Sequence, residues 1–574
     1  MILSKEMIRR ILILTACTLI GIAYASAQQT PLKREVTLYN PYKPSLNEAK
    51  KMNFMPDMTD TAKFRPSFSY NVTTTPFMPV YTVSPIKAAT LQPDPLDKLY
   101  RSYVNLGFGS YTSPLAEISI TNERSKKGAL GFYGRHYSNN GNIALDNGQK
   151  VYAGRMDNDL SLFGKKFFRG VVVGGSVDYL QRMRHAYGYN PDIFTYHPDR
   201  KATKINYADV GAALSVSSTT LDSSRFAYDF NLSYDYFYNN RDISQRRFRF
   251  DGEMAKVFRG FFVGAGVEFR HFQVPVAVGP FLKYVAAVNP FVQKSTSQWQ
   301  FKLGMQALLE RNIEPSTKLH VYPDLGFGFS IVPSYVNFFT SLTGGLQVND
   351  ALAVCEENPF FNPFGLSLYL VPSTDKPIVA SAGLRGNTGL GGTYELSASY
   401  SLVNNMIFYT NLLTPADTVY GRGNYFSALT DDVDILTIHG GMTGNLTDKM
   451  SFNSSVNYYK YTMSALEHPF NMPSWDASLG LKYNLRDKII AGMELTLLGD
   501  RKLVATNPSE FGPLRSFVTT SPWHPNLNLS AEYRYSKILS FWAKFNNLSH
   551  ERYYEWAYYP TYRFMFMLGF TYSL

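Results

Sequence analysis

Near the end of the chain, Tyr562, Phe564, Phe566, Leu568, Phe570, Tyr572 and Leu574 take every second position. Between them lie Arg563, Met565, Met567, Gly569, Thr571 and Ser573. A repeat of two is the mark of an extended strand, whose side chains alternate between faces. One face here is wholly apolar or aromatic; the other is small, soft or polar.

The same alternation recurs. Phe226, Tyr228, Phe230, Leu232, Tyr234, Tyr236 and Tyr238 alternate with Ala227, Asp229, Asn231, Ser233, Asp235 and Phe237. Tyr394, Leu396, Ala398, Tyr400 and Leu402 alternate with Glu395 and a row of serines, and Leu527, Leu529, Ala531 and Tyr533 with Asn528, Ser530, Glu532 and Arg534. In a packed sandwich the inward set should be apolar, and here the second face carries charge too often for that. With the apolar face toward lipid and the polar face around a wet interior, the pattern is consistent. Composition agrees: 18% of the 574 residues are charged, and the chain holds 41 Tyr and 41 Phe, whereas soluble domains carry about 25% charge. No apolar run of about 18 residues follows the N-terminus, so no spanning helix is available.

The connections alternate in length. Short ones are 122–128, 164–170, 257–260, 445–450, 484–488 and 535–538; long ones are 184–203, 348–376, 462–474, 500–524 and 549–561. Outer-membrane barrels have short periplasmic turns and long external loops. The expected fold is therefore all-β: a transmembrane antiparallel β-barrel over 98–574, its last strand pairing with the first near Tyr100–Phe108. About 22 strands are expected with 403–432 as one external loop, and about 24 if that stretch is a further hairpin. Closure removes the exposed sheet edges. An even count leaves the C-terminus periplasmic.

Residues 1–27 read as a secretory signal: Arg9 and Arg10, an apolar run, then Ala25-Ser26-Ala27, with Met7 an alternative start. Cys17 lies in a lipobox-like LTAC, but the apolar run continues beyond it. Its loss with the signal leaves Cys355 without a disulfide partner. Losing Lys5, Arg9, Arg10 and Glu6 lowers the formal charge from +11 to +9. A basic exported chain suits anionic surroundings such as lipopolysaccharide phosphates, and the lack of a basic run argues against nucleic acid. Residues 28–97, with prolines throughout and one short helix expected at Ser45–Lys51, read as an extended periplasmic segment. This segment, inward-folded loops or a partner protein is expected to occlude so wide a lumen.

The closing element NNLSHERYYEW and the aromatic last strand resemble the C-terminal strands of TonB-dependent receptors, above all the barrel half of those from Bacteroidota, over residues 99–574. That resemblance implies an outer-membrane uptake barrel. It also implies TonB or a surface lipoprotein as partner, and Phe570, Tyr572 and Leu574 as the signal read by the barrel-assembly machinery. The stretch Arg34, Glu35, Val36, Thr37 and Leu38 is similar to the family's energy-coupling box. Two departures stand out. Residues 28–97 are too few for the family's plug, and the chain ends in Leu574 where the family usually has Phe.

No catalytic constellation appears, so no enzyme activity is expected. None of the nine histidines has HExxH-type spacing, and no metal or cofactor is implied. His185, His197, His468, His524 and His550 fall in expected external loops and read as solvated. GLGG at 389–392 reads as a hairpin turn. Asp60-Thr61-Ala62 and Asp417-Thr418-Val419 resemble a short O-glycosylation sequon. The candidate lumen-lining residues are Asp229, Asp235, Arg247, Arg249, Asp251, Glu253, Glu395, Glu532, Arg534, Trp542 and Lys544. They can bind a polar solute, pair with one another, or hold residues 28–97; Trp542 is placed to touch whatever fills the lumen. Two functions follow: passage or uptake of a solute across the outer membrane, or a non-transporting scaffold that recruits partners.

Overall fold

The computed structural model describes residues 100–122, 125–189, 199–219, 226–275, 281–312, 316–362, 371–389, 391–412, 425–507 and 515–574. The expected helix at 45–51, the coupling-box stretch 34–38 and both sequons lie outside the described residues.

Antiparallel strands run from Ser102–Gly109 to Met565–Ser573, each paired to its neighbour. The last closes against the first, with Tyr103 opposite Ser573 and Gly109 opposite Met567. Ser102 and Leu574 exchange backbone hydrogen bonds at 3.0 and 2.9 Å. Twenty-two strands form this closed barrel. Large apolar side chains sit outside, Leu214 and Phe258 each 59% exposed. The polar residues of the same strands face inward, as lipid around a wet interior requires.

The alternative of 22 or 24 strands has a structural answer. Two further strands, Arg501–Asn507 and Arg515–Ser521, belong to the continuous sheet but stand outside the closed ring. They form a hairpin whose first strand pairs in parallel with Asn411 and Leu412. Residues 403–432 are neither a plain loop nor an extra spanning hairpin. The strand Thr393–Leu412 carries on through a bulge between Val403 and Met406, and its partner Tyr425–Thr447 rises beside it. Asn405, at φ 53°, sits in the bulge.

One end of the barrel holds tight turns. Strands reach five residues further than expected into the link 164–170 and two into 257–260: Phe168 and Phe258 are the last strand residues before Arg169-Gly170 and Arg259-Gly260. Arg259 and Gly260 both have positive φ, 49° and 79°, as the tightest hairpin turn requires. Where a hairpin turn is expected, Gly389 and Gly391 have positive φ, 79° and 73°, and the Thr388 N–H donates to the Gly392 carbonyl at 2.9 Å. At the other end the long loops carry structure of their own: hairpins at Asn142–Tyr152 and Tyr554–Pro560 and a helix at Ala351–Glu357.

Tyr562 departs from the expected lipid-facing row. Its hydroxyl donates to the Gly141 and Ala153 carbonyls at 3.2 and 2.9 Å, and its ring meets Tyr111. The regular strand begins only at Met565, and from there Phe566, Leu568 and Phe570 are exposed as expected.

Candidate functional site: a lid of loops and the polar wall beneath it

The largest apolar core is at the loop end of the barrel. It joins wall residues Ile205, Tyr207, Phe237 and Val274 to loop residues Ala351, Val354, Phe360, Phe361, Trp556 and Tyr559. Phe360 stacks on Tyr559 with ring centroids 3.9 Å apart, and Trp556 meets Tyr409 and Phe426 edge-on. Phe237, on the otherwise polar face of its strand, is fully buried here. Apolar loop side chains leave water by folding onto the few apolar wall positions. The result is a lid across the mouth.

The helix Ala351–Glu357 is the best-anchored part of that lid. Asp350 caps it, accepting from the Ala353 N–H at 2.8 Å, so one of the orphan donors of the first turn is satisfied. Gln245 accepts from the Ala351 N–H at 3.1 Å. Arg247, whose side chain is 5% exposed, places one guanidinium nitrogen 2.6 Å from both oxygens of Asp209. Its other terminal nitrogen lies 3.2 Å from Asp350. At the far end Tyr207 donates to the Cys355 carbonyl and to Glu356, at 3.1 and 2.9 Å, and Tyr409 donates to Glu357 at 2.9 Å. Burial pushes the Glu357 carboxyl above its ordinary range, against the hydrogen bond from Tyr409. Two acids at a helix C-terminus oppose the helix dipole, so these hydroxyls hold the helix at its least favourable end.

A second anchor is Arg501. It donates to the carbonyls of Tyr554 and Glu555 and to Asn471, and burial pushes its guanidinium down from its ordinary value. Beside it lies a polar cavity of about 560 Å³ between lid and wall, lined by Arg155, Arg184, Glu356, Asn526, Asn547 and Tyr562 among others. The buried Nε atoms of Arg155 and Arg501 and the Asn526 side-chain oxygen have no hydrogen-bond partner among the described residues.

Below the lid the wall is a relay of ion pairs. Trp542 donates to Asn105 at 2.8 Å, Asn105 to Glu117 at 2.8 Å, and Arg135 to Glu117 at 3.1 Å. Arg182 lies 2.7 Å from Asp159 and 3.6 Å from Glu356, and Arg184 lies 2.7 Å from Asp157. This relay runs from the closing seam to the lid helix. Across the lumen Lys283 donates to Ser373 and Ser373 to Glu310, both at 2.7 Å, all three buried.

The sequence candidates divide as follows. Arg247 reaches the lid, and Arg249 pairs with Asp235 at 3.1 Å. Asp229 accepts from Asn231 at 2.9 Å, and Arg534 lies 3.4 Å from Glu532. Asp251 and Glu253 lie opposite Glu268 and Gly266 on the same face. Glu395 sits opposite Arg385 and lines a separate cavity of about 630 Å³ near the turn end, with His439 and Asn453. Lys544 sits 5.0 Å over the Trp542 ring. Trp542 itself is 8% exposed and lies flat over Gly107, where an added Cβ would come within 2.5 Å of the ring. It seals the seam between the first and last strands.

Glu117, Arg135, Asp157, Asp159, Arg182, Arg184 and Asp209 were not singled out from the sequence. The signal was present, since Asp157 and Asp159, and Arg182 and Arg184, are period-two pairs in RMDND and LQRMRH. Two histidines are not the solvated residues expected. His185 is buried, 3.2 Å from the Thr203 hydroxyl, and His524 stacks on Tyr553 at 4.0 Å. His197 lies outside the described residues, and no metal-binding cluster of side chains occurs among them.

No protein-family model matches the sequence, and no curated protein matches it. Solved structures do. The FrpB iron transporter from Neisseria meningitidis is 12% identical with a TM-score of 0.63, the match covering 83% of this chain and 82% of that one. The siderophore receptor PirA from Acinetobacter baumannii is 11% identical, TM-score 0.63, over 84% and 81%. The copper transporter OprC is 11% identical, TM-score 0.61, over 83% and 80%. The barrel therefore has the 22-strand fold of TonB-dependent receptors.

Proposed function

We propose that this chain is an outer-membrane barrel that mediates passage or uptake of a polar solute, its outer mouth closed by its own loops. The observation that carries this reading is the apolar lid built across a closed, polar-walled barrel. A lid has meaning only over a lumen worth closing. The apolar exterior supports an outer-membrane location, and the long loops support an external lid with the N-terminal segment and the C-terminus periplasmic. Likeness to iron, siderophore and copper transporters supports transport in general. Residues 28–97 then occlude the lumen from the periplasmic side. TonB coupling through Arg34–Leu38, insertion by the barrel-assembly machinery through Phe570, Tyr572 and Leu574, contact with lipopolysaccharide and capping by a surface lipoprotein belong to the same proposal. So does solute contact by the lumen-lining charges.

Planar-bilayer conductance tests it. The mature chain should be nearly silent, as should variants lacking only residues 28–97 or only 351–361. A variant lacking both should conduct strongly. Silence in all four, with partners retained on mild extraction, would favour the scaffold reading.

A further inference from the structure

The cations of this protein are distributed unevenly. Around the lid several are paired with carboxylates: Arg247 with Asp209, Arg184 with Asp157, Arg552 with Asp146. The tight turns at the other end instead carry Lys126, Lys127, Arg169, Arg259, Lys449, Arg486, Lys488 and Lys537, against Asp448 and Asp487 among the described residues. The positive excess thus gathers at the turn end, away from the external side where lipopolysaccharide would lie.

Within that rim one patch is distinct. Lys256 sits 5.1 Å from the centre of the Phe226 ring, Arg259 5.3 Å from Phe258, and Lys294 4.6 Å from Phe261 and 5.7 Å from Trp299. Trp299 in turn stacks on Phe301 at 5.6 Å. Register makes these residues neighbours: Lys256 pairs with Val263, Val263 with Val292, and Lys294 with Phe301. Two strand spacings, roughly 10 Å, span the patch. Lys256 and Lys294 share the outward face with the exposed Met254, Val263 and Leu303. None of the three cations has a carboxylate within ion-pair distance among the described residues.

We propose that Lys256, Arg259 and Lys294 form a binding site for the phosphate of an anionic glycerophospholipid in the leaflet around the turn end. This rests on the outer-membrane reading above. Aromatic rings that face outward at a barrel rim lie at headgroup depth. A cation on each ring keeps its alkyl stem on apolar surface and its charge in the headgroup layer. A soluble acidic partner would instead meet cations at the axial tips of the turns, such as Lys449 and Lys488, neither of which lies over a ring among the described residues. Each cation near an anionic surface strengthens attraction roughly fivefold.

The test uses the full chain, extracted in mild detergent from membranes containing phosphatidylethanolamine and phosphatidylglycerol, with retained lipid measured by mass spectrometry. Membrane fractionation comes first: recovery in the soluble fraction would overturn the outer-membrane reading and this site with it. With the barrel in the membrane, the parent should retain phosphatidylglycerol in excess. The Lys256→Gln/Arg259→Gln/Lys294→Gln variant should lose that excess at least tenfold while keeping the heat-modifiable migration of a folded barrel. The Lys449→Gln/Lys488→Gln variant should keep it. Equal lipid ratios in parent and triple variant would overturn the site, as would equal losses in both variants. Salt-sensitive co-elution of an acidic protein without phosphatidylglycerol enrichment would overturn it too.

Discussion

Replacing Arg247 with Met should open the lid without unfolding the barrel. The Arg247 side chain is 5% exposed and its partner Asp209 10%, so truncation leaves a buried carboxylate without its cation. It also removes the contact to the helix cap Asp350. Breaking a buried pair in this way costs about 3–5 kcal/mol. The strand Ser244–Phe258 is held by a full ladder on both sides, so the loss falls on the lid, whose segments are joined mainly through side chains. Opening should therefore become easier by at least about two orders of magnitude. Hydrogen exchange resolved by peptide is the assay: amides of 351–361 and 554–560 should lose protection, while those of 244–258 keep theirs. Arg249→Gln serves as the contrast. Its side chain is 45% exposed on Asp235, and such a pair is worth about 0–1 kcal/mol. Adding Asp209→Leu to Arg247→Met should recover part of the loss, because no orphaned charge remains. Unchanged protection of 351–361 in Arg247→Met, or equal effects from both arginines, would refute the view that this ion pair anchors the lid.

Gly107→Ala should lower the thermal unfolding temperature of the barrel, because the new methyl meets the Trp542 ring. In a Trp542→Leu background, itself destabilised by a few kcal/mol, the same change should cost less; additive losses would sink the seam argument. Glu357→Gln should raise protection of 351–361 at pH 7.5 and change it little at pH 4. Burial raises the folded-state pKa of Glu357, so its contribution is full below the unfolded carboxylate value of about 4.3 and is lost as pH rises through the folded one. An equal effect at both pH values would contradict this.

Much of the wall was legible in the sequence, because each spanning strand faces two solvents and must alternate. Parity alone put Asp235, Arg247, Arg249, Glu532 and Arg534 on the inner face, and it put Phe566, Leu568 and Phe570 outside. Where alternation stops, legibility stops. Tyr562 continues the repeat in sequence, yet its backbone has left the strand and its hydroxyl reaches Gly141, 421 residues away. The bulge at Asn405 is equally silent, since one left-handed residue shifts the register without altering composition.

What the sequence determined by itself is the kind of surface the chain must present: a period of two with the apolar set outermost, short turns at one end and long loops at the other. That follows from local chemistry repeated in every strand. What only the tertiary structure decided is where the loops go and which inward charges meet. Phe360 finds Tyr559, and Asp209 finds Arg247, across gaps in sequence that no periodicity spans. Those pairings depend on the order in which strands close the ring and on the depth at which each side chain enters the lumen. The same closure brought Trp542 over Gly107, turning a residue expected to touch the lumen's contents into part of the wall.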